Sequence, residues 1–225
     1  WYILSGALIS AFFSSCSNNE REIPQYEGAD IAFRVNEGQT RGFIDNEKLN
    51  TYGTVLSISG FCNGKVMHEG TSMALSNKDL VYDRIEGIDR WIIKNGNTPV
   101  KYYWNKDGGH YKFFGWLKYD AASALHIPSE WTYDEASKML TVPEWTLDKN
   151  YNQLDFIYSD VHVRDMDEQN VDELGRVPVP FAMHHLFSSF GVGIRNMSDE
   201  DITITKVAIE AIHEKGSAKI DYNGD

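Results

Sequence analysis

The stretch YKFFGWLKY, Tyr111–Tyr119, alternates large apolar side chains on both of its faces. With period two, Tyr111, Phe113 and Leu117 fall on one side and Phe114 and Trp116 on the other. A strand that is apolar on both sides must be covered on both, so this segment is predicted as a central strand of a β-sandwich. The chain around it has the same texture. Asp107-Gly-Gly109 precedes it as a turn, and before that come Tyr102-Tyr-Trp104 and the turn signal Asn95-Gly-Asn97. Leu80-Val-Tyr82 and Trp91-Ile-Ile93 are strand candidates, as is Thr54–Phe61, which ends at Asn63-Gly64. Ile31-Ala-Phe33-Arg-Val35 is the first strand, stopped by Asn36-Glu-Gly38.

Downstream, Trp131-Thr-Tyr133 and Met139–Val142 flank Asp134–Lys138 as a hairpin, and Leu154–Tyr158 is a further strand. Residues 160–175 (DVHVRDMDEQNVDELG) are acidic and polar and read as a surface loop. Pro178 and Pro180 lack ladder donors, which sets Val177–Phe181 at a sheet edge or a strand start. Phe190–Ile194 and Ile202–Ile212 are late strands, the latter with a phase shift at Thr205-Lys206 that suggests a bulge. No helix longer than two turns is expected, and Asp120–Leu125 is at most one turn. The fold class is therefore all-β, in two β-sandwich domains with a break near Val142–Asp155: residues 29–150 and residues 151–225.

The N-terminal region reads differently. Residues 1–15 (WYILSGALISAFFSS) carry no charge, two small residues precede Cys16, and Ser17-Asn-Asn-Glu-Arg-Glu22 turns polar at once. An apolar run, small residues, a Cys and a polar tether resemble a bacterial lipoprotein signal. Residues 1–15 would then be the signal peptide, Cys16 the acylated residue and residues 16–28 a tether. The run is too short to span a bilayer, which takes about 20 apolar residues, whereas several acyl chains on one residue anchor stably. The alternative is a buried N-terminal helix with an incidental Cys. The start at Trp1, without Met or a basic region, suggests an N-terminal fragment.

Composition excludes some functions. A formal net charge of −12 and a pI near 5.0 argue against nucleic-acid binding, which needs clustered Lys and Arg. If Cys16 is lipidated, Cys62 is the only other Cys, leaving neither a disulfide nor a paired-Cys metal site. His184 and His185 point to opposite faces of any strand and cannot readily share a metal. His162 and Asp160 share a face but lack a third ligand. Ser188-Ser189 has no nucleophile elbow, and Asp165–Glu173 lacks the central Gly of a calcium loop. No metal, cofactor or catalytic set is expected, and the chain is read as a non-enzyme.

Several segments together resemble the fimbrillin family, the pilin-like lipoproteins of Bacteroidetes. They are Ile31-Ala-Phe33 followed by Gln39-Thr-Arg41-Gly42; Tyr103-Trp104, the turn at Asn105–Gly109 and Tyr111–Trp116; Leu154–Tyr158; and Phe181-Ala-Met-His-His185-Leu-Phe-Ser188-Ser189 with Asn196 and Ile202–Ile212. The matches span about residues 29–215. The resemblance implies two sandwich domains of transthyretin-like, Greek-key type, and, because family members are longer, a C-terminal domain (151–225) that is incomplete in this chain. It also implies an outer-membrane or cell-surface lipoprotein that is a pilus stalk, tip or anchor subunit with a role in adhesion. Assembly in the family resembles donor-strand exchange: an Arg-specific protease removes the first strand, and another subunit's strand takes its place. Arg41 matches the position of the cut, with Arg34 and Arg21 as competitors. Ile31, Phe33 and Val35 would fill the groove pockets before cleavage, with Arg34 pointing outward. The implied partners are other pilus subunits, the outer membrane and a host or bacterial surface ligand.

A second reading rests on the aromatics. Trp91, Trp104, Trp116, Trp131 and Trp145, with Tyr102 and Tyr103, could provide stacking platforms for sugars on a monomeric surface lipoprotein. Against it, Trp and Phe supply most of the packing in sandwiches. Core positions are expected for Phe113, Phe114 and Trp116, while Trp104 and Trp145, beside turns, remain open.

Overall fold

A computed structural model describes residues 30–37, 46–68, 74–119, 131–146, 156–186, 195–205 and 215–224. In chain order the elements are β1 (Phe33–Glu37), α1 (Asn46–Leu49), β2 (Val55–Cys62), β3 (Lys65–Val66), β4 (Lys78–Ile85), β5 (Ile88–Asn95), β6 (Thr98–Val100) and β7 (Gly109–Tyr119). Then come β8 (Thr132–Asp134), β9 (Met139–Thr146), β10 (Ile157–Ser159), β11 (His162–Met166), α2 (Val171–Leu174), β12 (Val179–His185) and β13 (Lys215–Asp221). The protein is all-β.

Tight turns organise the hairpins where the sequence permits left-handed backbone. Asn63-Gly64 joins β2 to β3 and Glu86-Gly87 joins β4 to β5, and all four residues have positive φ. At Asn95-Gly-Asn97 the predicted turn joins β5 to β6. The Asp134–Lys138 hairpin also forms: Asp134 accepts hydrogen bonds from the Ala136 amide and the Ser137 hydroxyl, and β8 pairs with β9.

Ten strands share one ladder that returns on itself. The path runs β7–β2–β4–β5–β1–β12–β10 and closes at β7, with β3, β6 and β11 attached at its edges. Most pairings are extended, but the ring is joined at two places by a single residue pair. One is Phe33 with Trp91, between β1 and β5. The other is Tyr158 with Trp116, between β10 and β7. The result is sandwich-like, with β5, β4, β2 and β7 on one side and β1, β12 and β10 on the other. Between them lies a core that includes Phe33, Val35, Leu56, Ile58, Leu80, Ile93, Phe113, Leu117, Ile157 and Phe181.

The second face of β7 has a separate cover. β8, β9 and β13 form a three-stranded sheet. Its Leu140 and Tyr222 pack with Phe61, Phe114 and Trp116, and the Tyr222 and Phe114 rings stack at 4.1 Å. Burial in that layer raises the Tyr222 phenol well above its ordinary pKa. The two-sided character of Tyr111–Tyr119 thus has a direct cause, since each face of the strand belongs to a different core.

The strand pairing runs across the break expected near residue 150. β10, β11 and β12 complete the large ladder begun by β1–β7, and β13 joins β8 and β9 in the small sheet. Long-range pairing, invisible to a local composition break, mixes strands from both sides of 150. The loop expected at 160–175 is corrected. It holds β11, paired with β7, and the short α2. Residues 202–205 carry no strand and are exposed, while 206–212, Phe190–Ile194 and Asp120–Leu125 lie outside the described residues.

Pro180 shows how β12 tolerates proline. The Val179 amide donates to the Ala32 carbonyl on the β1 side, so the Pro180 nitrogen points the other way. There β10 reaches only 183–185, and no ladder donor is missed. Arg164 covers the neighbouring chain, its guanidinium donating to the carbonyls of Leu174, Val177 and Pro178 at 3.0, 2.7 and 3.2 Å.

Candidate functional site

The site the sequence singled out is the first strand. Ile31, Phe33 and Val35 are buried while Ala32 and Arg34 are exposed, so period-two alternation holds through the segment. Phe33 stacks on Phe181 with ring centroids 5.7 Å apart and meets Phe113 edge-on at 5.9 Å. Along its length β1 runs parallel to β12, from Phe33 opposite Val179 to Glu37 opposite Met183. On its other side its ladder with β5 is the single pair Phe33–Trp91. β1 is therefore a core strand with one full ladder and one minimal one. Without it, the β12 backbone from 179 to 183 would lose its partner, and the pockets around Phe181 and Phe113 would open.

Cys16, Arg41 and Arg21 lie outside the described residues. So do Ser188 and Ser189.

His184 and His110 each meet a carboxylate. Asp160 is held by His184 Nε2 at 2.8 Å rather than by His162. His184 and His185 take opposite sides of β12, and His185 is buried. His110 Nδ1 meets Asp165 at 2.7 Å across the β7–β11 pair. The Nε2 of His162 is buried without a hydrogen-bond partner. Burial, and then the nearby Arg164 charge, push its pKa below the usual histidine range. Among the described residues no three His, Cys, Asp or Glu side chains converge as a metal would need. In the acidic run, Asp167 accepts from the amides of Gln169 and Asn170, forming an Asx turn that leads into α2. Cys62 is half-buried and accepts from Asn105 Nδ2 at 3.2 Å; burial raises its thiol pKa, which works against thiolate chemistry.

The aromatic residues fall mostly in the core. Trp91, Trp104, Trp116 and Tyr102 are buried, and Trp131 and Trp145 are half-buried. Trp104 donates its indole N–H to the Gly175 carbonyl at 3.1 Å, with Tyr111 edge-on and Arg164 over its ring. Among the described residues, the exposed aromatic is one that sequence reading missed. Tyr52 stacks on Tyr82, lies under the Arg84 guanidinium, and donates its hydroxyl to Asp89 at 2.5 Å. That hydrogen bond raises the Tyr52 pKa. Arg84 also pairs with both oxygens of Asp89, and this keeps the carboxyl below its ordinary pKa. Tyr82 and Arg84 both pack against the Tyr52 ring, which is 47% exposed.

Comparison with protein-family models, with curated proteins and with solved structures finds no match. None of the described helices is long and apolar enough to cross a membrane.

Proposed function

We propose that this chain is a fimbrillin-like outer-membrane or surface lipoprotein: a structural pilus subunit, tip or anchor, anchored through acyl chains on Cys16 and serving adhesion rather than catalysis. Its partners are other pilus subunits. The single observation supporting this reading is the state of β1. The strand and the residues leading into it bury Ile31, Phe33 and Val35, and β1 has a complete ladder with β12 and is joined to β5 by one pair. Arg41 follows four residues after its last residue, Glu37, in a Gln-Thr-Arg-Gly sequence suited to a trypsin-like protease. A cut there would sever β1 from the rest of the chain. Departure of the strand would expose backbone donors and acceptors on β12 together with apolar pockets, and a strand from another subunit would satisfy both.

Trypsin treatment of the purified full-length protein tests this, read by N-terminal sequencing and size-exclusion chromatography. The expected result is cleavage after Arg41, a stable remaining body, and growth into a ladder of oligomers. Resistance at Arg41, or a cut protein that stays monomeric, would refute the reading.

A further inference from the structure

β1 and β5 meet at one pair and then part. Continuing the antiparallel register from Phe33–Trp91 would set Val35 opposite Asp89, but no such pair forms. The chain closes this gap with the segment 46–52. α1 packs against β1, and its Leu49 is 1% exposed within the core that holds Phe33 and Val35. Immediately after it, Asn50 Oδ1 accepts the Trp91 indole N–H at 3.0 Å. Tyr52 then donates to Asp89 at 2.5 Å and stacks on Tyr82 at 5.6 Å. Gly53 and Thr54 fix the far end to β4, through the Gly53 amide on the Tyr82 carbonyl and the Tyr82 amide on the Thr54 carbonyl. The segment thus belongs to the body of the sheet, yet it covers the place where β1 is least attached.

We propose that residues 46–52 are a strap that governs the opening of β1. Trp91, at the one β1–β5 pair, and Asp89, two residues before it, are both held from outside β1 by polar side chains of the strap. β1 can leave sideways only if Leu49 withdraws, and Leu49 withdraws only if the contacts of Asn50 and Tyr52 with β5 break. The strap lies on the C-terminal side of Arg41, so a cut at Arg41 would leave it on the body while freeing β1 from its covalent tether. Release would then wait on the strap, and the same contacts would keep Trp91 in place at the mouth of the groove. This inference rests on the reading of β1 as the strand that leaves.

The test uses the full, uncut chain, with amide hydrogen exchange followed segment by segment. Asn50→Ala with Tyr52→Phe removes both polar contacts and keeps the Tyr52 ring. Losing two hydrogen bonds should speed exchange of the β1 amides by about tenfold or more, since each is worth roughly a fivefold change in a local opening equilibrium. The β9 and β13 amides should stay at the wild-type rate. Asn50→Asp, which keeps the acceptor, should restore most of the protection that Asn50→Ala loses. Unchanged β1 exchange, or equal acceleration in β1, β9 and β13, would overturn the proposal. If the double variant fails to fold, Tyr52→Phe alone is measured against the same criterion, with about a fivefold effect expected. A body that stays monomeric after cleavage would sink the pilus reading and leave the exchange result standing, so the two failures are distinguishable.

Discussion

Phe33→Ala set against Arg34→Ala measures how much of the large core depends on β1. Phe33 is 6% exposed, and its ring contacts those of Phe181 and Phe113. A phenylalanine that buries about 200 Å² at about 25 cal/mol per Å² contributes on the order of 5 kcal/mol, as an upper bound. Phe→Ala in a core costs about 3–5 kcal/mol once the cavity is included. Arg34, one residue along and exposed, should change stability by no more than about 0.5 kcal/mol. Urea unfolding followed by tryptophan fluorescence would show this directly. With an m-value of about 2–3 kcal/mol/M for a chain of this size, Phe33→Ala should lower the midpoint by roughly 1–2 M and Arg34→Ala by roughly 0.2 M. A Phe33→Ala loss below about 1 kcal/mol, or equal losses for the two variants, would refute the assignment of β1 to the core and with it the groove argument.

Three further outcomes are expected. A Cβ at Gly115 would lie 2.7 Å from the Ser57 carbonyl oxygen and 2.8 Å from Ile58 Cγ2. Gly115→Ala should therefore cost about 1–3 kcal/mol in urea unfolding by forcing the β2–β7 ladder apart, and wild-type stability would contradict that packing. Arg164→Lys keeps the charge but loses the planar fork that reaches three carbonyls. A loss of about 1.5–3 kcal/mol is expected, with β11 and α2 gaining hydrogen exchange first. The folded-state pKa of His162 is depressed by burial, so the unfolded chain takes up a proton there before the folded chain does. Stability should therefore be fully present above the unfolded pKa of about 6.5 and fall as pH drops from there toward the lower folded value. His162→Gln should flatten that part of the stability–pH curve, and an unchanged slope would exclude His162 as its source.

Strand identity was legible wherever side-chain alternation and turn chemistry agreed. β2, β5 and β7 follow from apolar patterns bounded by Asn-Gly or Gly-Gly turns, and the β8–β9 hairpin from the polar turn at Asp134–Lys138. β1 was readable for the same reason, down to which residues face inward. β11 was not, because acidic residues near Met166 mask the pattern, and its place depends on pairing with β7 and on Arg164 reaching across to 174–178. β13 (KGSAKID) was also missed. It has a single large apolar side chain, Ile220, and is a strand because β9 offers it a ladder.

The sequence by itself determined an all-β chain, an acidic surface, a strand apolar on both faces at Tyr111–Tyr119 and a first strand burying Ile31, Phe33 and Val35. These are local properties, set by side-chain period and by which backbone angles Gly and Asn allow. Only the tertiary structure decided which strands are neighbours. It paired β1 with β12 across some 140 residues, gave β7 a second core under the small sheet, and set Asn50 and Tyr52 against β5. Such choices depend on which distant edges satisfy each other's hydrogen bonds and bury the most apolar surface together, and no local window of sequence contains both partners.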